Sequence, residues 1–149
     1  SGVSIPILGF VAAGVPIAAI TDYIGEVTIS PHLAKKGEHF ALKIKGDSMF
    51  PLFQAGDTVI VRRQPDAESG EIAVVLVNGN DATVKKLIKK DTSILLVSEN
   101  SEYEPLVFSY GEFYNLPVSV LGRVIEMRRS TSTQATSFFI KHLSFQAIL

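Results

Sequence analysis

The sequence predicts a mainly β domain, a compact folded-over antiparallel sheet or small barrel, and three observations carry that expectation. Short apolar and polar alternations follow one another with turn residues between them. A hairpin pattern surrounds Asn78-Gly79, and nothing in the middle of the chain sustains a helical period. At 149 residues, 46% hydrophobic and 19% charged, the chain has enough apolar side chains for the core of one domain.

Taken in order, the opening stretch SGVSIPILGFVAAGVPIAAIT carries no charge, as a leader or membrane anchor would. Pro6, Gly9, Gly14 and Pro16 interrupt it and no Lys or Arg precedes it, so no membrane role is expected. The first patterned strand lies in FALKIKGDSMFPLFQAGD, with Phe40, Leu42 and Ile44 on one face and Ala41, Lys43 and Lys45 on the other; it breaks off at Gly46-Asp47-Ser48. Asp57 to Arg63 alternates again, and Gln64 to Gly70 is a polar connection containing Pro65. GEIAVVLVNGNDATVKKLIKK then reads as two β-rich runs joined at Asn78-Gly79, with Lys89, Lys90 and Asp91 as its solvated end. SILLVSEN and SVLGRVIEMRR supply two further strands, separated by a loop region bearing Pro and aromatic residues. From Arg128 the run RRSTSTQATS is polar and lacks a core pattern, so it reads as a linker. Phe138, His142, Phe145 and Leu149 follow at the spacing of one helix face.

Composition excludes several functions. Fourteen basic against fifteen acidic residues give a net charge of -1, which does not suit wrapping nucleic acid or an anionic membrane. The absence of cysteine removes disulfides, thiolate metal sites and a cysteine nucleophile.

Ser48 is the candidate nucleophile, and a serine needs a base within hydrogen-bond reach to become one. His32, His39 and His142 lie in no recognisable motif and read as structural or surface residues. GDSMF lacks the second glycine of the G-x-S-x-G elbow, and Pro51 occupies the lysine position of S-x-x-K. A lysine from another strand remains, provided burial lowers its pKa enough to leave a neutral amine. DATVKKLIKK offers Lys85, on the face of Thr83 and Leu87, and Lys86, on that of Val84 and Ile88. Alternation does not choose between them and leans slightly to Lys86. Taken alone, Gly46-Asp47-Ser48 is more often an ordinary turn or ST-motif than a nucleophile.

Together, VAAGVP near the start, GDSMFP, and GEIAVVLVNGNDATVKKL resemble, in that order, the self-cleaving domain of LexA and the related phage repressors, over about Val11 to Arg128. The resemblance implies the mostly antiparallel β fold of that domain, with Ser48 as nucleophile and Lys85, the lysine of T-V-K, as base. It further implies that the chain hydrolyses its own Ala13-Gly14 bond, with the backbone N–H groups of Asp47 and Ser48 holding the oxyanion. No cofactor or metal is implied. The expected organisation is a cleavage-site arm over 1–20, a self-cleavage and dimerisation domain over 21–128, and a polar linker with an apolar tail over 129–149.

The same resemblance implies a cytoplasmic, homodimeric regulatory domain of a repressor, cleaved in a RecA-stimulated SOS-type response. DNA would be bound only through a helix-turn-helix domain outside this chain. A UmuD-like translesion polymerase accessory protein is the alternative within the family, and a signal peptidase-like enzyme a more distant one. A dimerisation or peptide-binding module with inert Ser48 and Lys85 is the non-enzymatic reading.

Overall fold

The structure, a computed structural model, describes residues 1–9, 23–78, 81–115, 118–130 and 135–140. Its strands are β1 (Val3–Leu8), β2 (Tyr23–Ile29), β3 (His39–Lys43), β4 (Thr58–Arg63), β5 (Ile72–Val77), β6 (Asp81–Lys89), β7 (Ser93–Val97), β8 (Leu106–Ser109), β9 (Ser119–Ser130) and β10 (Ala135–Phe139). Two short helices, α1 (Pro31–Ala34) and α2 (Tyr110–Asn115), complete the described elements. Ser30 caps α1, its hydroxyl accepting from the Leu33 N–H at 3.1 Å, with Pro31 fixing the first turn.

The strands form one sheet in the order β2-β1-β3-β4-β9-β5-β6-β7-β8, with β10 also on β9. Among the described residues the path ends at β2 and β8 without closing, so the sheet is folded over rather than a barrel. All pairs are antiparallel except β1 with β3, which runs parallel through Ile7↔Ala41 and Leu8↔Leu42. The long strand β9 organises the fold. One of its edges carries β4; the other carries β5 along its first half and β10 along its second. Register irregularities at Ile60/Val61 and Val74/Val75 bend the sheet where these partners meet. Gly122 lies at the close approach: a Cβ there would stand 2.2 Å from the Arg62 carbonyl oxygen.

Three apolar clusters follow from the strand alternation. Phe40, Leu42 and Ile44 share the largest one with Val59, Val61, Val74 and Met127. The opposite face of β3 and β4, Ala41 and Ile60, is covered by Ile5, Ile7, Ile29 and Ile125. Ala73 and Val75, on the other face of β5, meet Leu87, Ile94, Leu96 and Phe113. Burial on both faces explains the nearly continuous apolar run of β5.

The end of the chain departs from the sequence reading. Residues 128–130, read as the start of a linker, lie in β9, and Ala135 to Ser137 lie in β10. Backbone pairing along β9 holds this polar segment, which needs no core pattern of its own. Phe138, read on a helix face, is in β10, and the Ile140 N–H donates to the Ile125 carbonyl at 2.8 Å. His142, Phe145 and Leu149 lie outside the described residues. The sheet also runs across the expected domain divisions at 20 and 128, since β1 lies within the arm and β10 within the tail.

Candidate active site

Ser48 is presented by a turn that the end of β3 and the start of β4 hold at both sides. Past Lys43 the pairing continues by two backbone bonds, Ile44 N–H to Asp57 carbonyl at 2.8 Å and Gly56 N–H to Ile44 carbonyl at 2.9 Å. Gly46 then takes φ +74°, where a side chain is strained; a Cβ there would meet nothing within 4 Å, so glycine serves the backbone rather than space. The turn closes with Phe50 N–H on the Asp47 carbonyl at 3.1 Å and Phe53 N–H on the Met49 carbonyl at 2.9 Å. Ile44 before half-buried Ser48 and Met49 and Phe53 after it are buried in the main core and anchor the turn. Phe50-Pro51 is a cis peptide, and Phe50 is exposed.

Lys85 reaches this turn from β6. Its Nζ lies 3.0 Å from Ser48 Oγ, 2.7 Å from Thr83 Oγ1 and 3.3 Å from the Val84 carbonyl oxygen. Partial burial disfavours the ammonium and lowers its pKa below the ordinary lysine value. A lysine that loses its proton here has a lone pair within hydrogen-bond reach of the Ser48 hydroxyl. Thr83 stands two residues earlier on the same face, as strand alternation requires, and accepts a further Nζ–H. Lys86 faces away: its Nζ lies 3.8 Å from Glu99 Oε1. The slight lean of periodicity toward Lys86 therefore fails in geometry, because alternation assigns a face without saying what waits on it.

The other candidates fall elsewhere. His39 is buried, its pKa lowered by desolvation, and its neutral Nε2 accepts from Arg62 Nε at 3.3 Å. His32 is exposed on α1. Ala13, Gly14 and His142 lie outside the described residues. Asp47 and Ser48 are adjacent in the turn, and among the described residues neither backbone N–H finds an acceptor. Lys89, read as solvated, forms a 3.0 Å ion pair with Asp66.

Sequence reasoning missed the segment that covers the turn. Asn100 N–H donates to the Ser48 carbonyl at 2.9 Å, Asn100 Nδ2 to the Asp47 carbonyl at 3.1 Å, and the Tyr103 hydroxyl to Asp47 Oδ1 at 2.5 Å. These contacts span about fifty positions, and nothing in the local pattern of SENSEY announces them.

Comparison with known proteins places the chain in a family. Residues 6–125 match the family described as peptidase S24-like. The chain is 43% identical over 128 residues to the LexA repressor of Magnetococcus marinus (strain ATCC BAA-1437 / JCM 17883 / MC-1), a match covering 85% of this chain and 52% of that relative. The chain thus spans about half the length of the curated relative it matches.

Proposed function

The chain belongs to the peptidase S24-like family, and from that premise we propose that it is the self-cleaving regulatory and dimerisation domain of a LexA-like or prophage repressor. The observation that carries the reading is the 3.0 Å approach of Lys85 Nζ to Ser48 Oγ where burial disfavours the ammonium. The neutral amine takes the Ser48 hydroxyl proton as Oγ attacks the Ala13 carbonyl carbon. The backbone amides of Asp47 and Ser48 hold the oxyanion. Collapse of the tetrahedral intermediate breaks the Ala13-Gly14 bond, Lys85 returns the proton to the Gly14 amine, and water then hydrolyses the Ser48 ester with Lys85 again as base.

The topology supports a reaction in cis. β1 runs parallel to β3, so the chain leaving Leu8 heads the same way as the chain leaving Leu42 toward Ser48. Ala13 is five residues beyond Leu8, and Asp47 is five beyond Leu42. Tyr23, where the described chain resumes, pairs with Leu8, so both ends of the intervening segment are fixed at one place on the sheet. Tethering of this kind replaces a bimolecular encounter with a positioned one.

By resemblance to the repressors, a RecA filament formed after DNA damage promotes cleavage by favouring the docked segment, a population shift rather than a donation of groups. DNA binding resides in a domain outside this chain, the domain pairs as a homodimer, and the setting is the cytoplasm. Among the described residues no helix is long and apolar enough to cross a membrane.

Incubation of the purified chain at about pH 10, where more of Lys85 is neutral, tests the reading. Mass spectrometry is expected to show scission after Ala13 at a first-order rate independent of protein concentration. Ser48→Ala and Lys85→Ala abolish it. An intact wild-type chain at that pH and with an activated RecA filament sinks the proposal.

A further inference from the structure

We propose that Asn100 is a positioning residue for the cleavage reaction: its side chain sets the direction of the Ser48 backbone N–H, the donor assigned to the oxyanion. The inference deepens the self-cleavage reading and depends on it.

A trans peptide is planar, so a carbonyl and the N–H that follows it point in opposite directions. Asn100 Nδ2 donates to the Asp47 carbonyl at 3.1 Å, on the oxygen that also accepts from the Phe50 N–H at 3.1 Å; the turn bond alone leaves that plane one anchor, and the second, from Asn100, aims the Ser48 N–H away from the 99–103 segment. The Asn100 N–H does the same for the next plane through the Ser48 carbonyl at 2.9 Å, and thereby directs the Met49 N–H. Asn100 thus bonds two consecutive peptide planes beside the nucleophile.

Asn100 is itself held. Its Oδ1 accepts from the Glu102 N–H at 3.0 Å and its carbonyl accepts from the Tyr103 N–H at 3.1 Å. The side-chain amide therefore has one workable orientation: Oδ1 toward a donor in its own segment, Nδ2 toward the Asp47 carbonyl. Glu99 N–H on Met49 Sδ at 3.4 Å and the Tyr103 hydroxyl on Asp47 Oδ1 at 2.5 Å fasten the same turn at its two ends. The bond to Asp47 raises the Tyr103 pKa above the ordinary tyrosine value.

An oxyanion donor acts only from the correct position: losing one costs on the order of 100-fold or more in rate, and misplacing a reacting group can cost as much. Asn100→Asp separates the roles, because it keeps the acceptor for Glu102 N–H and removes the donor to Asp47. First-order cleavage of the full 149-residue chain is followed from neutral to alkaline pH alongside the thermal midpoint. Asn100→Asp is expected to lower the rate by roughly 10- to 100-fold at every pH, with the apparent pKa of the profile and the midpoint both unmoved. Tyr103→Phe lowers it by a smaller factor in the same pattern. Rates within twofold of wild type for both variants overturn the proposal. A rate loss accompanied by a shifted profile or a collapsed midpoint also overturns it, since Asn100 then acts on Lys85 or on folding. If the wild-type chain does not cleave, the self-cleavage reading has failed and this one with it. If wild type cleaves and Asn100→Asp matches it, only this one has.

Discussion

At the residue scale, the proposed chemistry rests on one lysine placed where its charge is unwelcome. Lys85 has its folded pKa below the ordinary value of 10.5 because burial desolvates the ammonium. Between those two values the unfolded chain binds more protons than the folded one, so stability rises with pH across that window and is lost as pH falls through it. Lys85→Met removes the effect. The variant is expected to be more stable than wild type at pH 7, with the gap closing toward about pH 10.5, while cleavage is lost. Urea midpoints of both proteins at several pH values check this, and a gap that does not change with pH contradicts it. The sequence made Ser48 legible because Gly46-Asp47-Ser48 interrupts a patterned strand, but strand alternation left Lys85 and Lys86 open and leaned toward Lys86, whose Nζ lies beside Glu99 rather than Ser48. Only the order of VAAG, GDSM and T-V-K chose Lys85. Asn100 and Tyr103 were not legible at all, since their partners lie about fifty positions away and polar turn residues carry no periodic signal.

At the scale of elements, β3 to β7 and β9 were legible and β1, β2, β8 and β10 were not. β1 hides behind Pro6, yet its parallel ladder to β3 is confined to Ile7 and Leu8, which leaves the proline outside it. β8 is a short strand at the sheet's end, with Leu106 and Val107 exposed, and β10 is a five-residue strand, ATSFF, with Phe139 exposed. Both are held mainly through backbone pairing, to which composition is blind. The arginines read as the start of a linker turn out to neutralise buried acids. Arg129 on β9 grips Asp57 through Nε at 2.9 Å and Nη2 at 2.8 Å, and Arg128 Nε donates to Glu126 at 2.8 Å. Asp57 is 2% exposed and closes the loop carrying Ser48, accepting also from the Gln54 N–H at 2.8 Å. Arg129→Met would leave that carboxylate buried with one donor, at a loss of roughly 2–4 kcal/mol in unfolding free energy. Urea denaturation measures it. A loss under about 0.5 kcal/mol would mean the pair behaves like an exposed one.

For the whole molecule, the topology implies that cutting the chain at Ala13-Gly14 does not by itself part the products. The N-terminal product contains β1, which lies between β2 and β3 rather than at an edge. Ile5, Ile7 and Leu8 of β1 are buried at 7%, 7% and 2% exposure, and burying such a side chain is worth roughly 1.5–3 kcal/mol. β2 pairs with the rest of the sheet only through β1 among the described residues, so withdrawal of β1 would open two unpaired edges at once. Separation of anything carried upstream of Ser1 from this domain then needs a second step, the departure of β1, whose rate is distinct from that of the chemistry. Cleaved protein passed over a size-exclusion column at micromolar concentration should elute as one species containing both fragments, with the shorter fragment, residues 1–13, released in denaturant. Ile5→Ala and Ile7→Ala, each removing apolar contacts of β1, should hasten release under native conditions while the rate of scission stays within a few-fold of wild type. Free 1–13 peptide recovered from wild-type protein without denaturant, on the same timescale as scission, would show that β1 is held far less firmly than its burial and pairing imply.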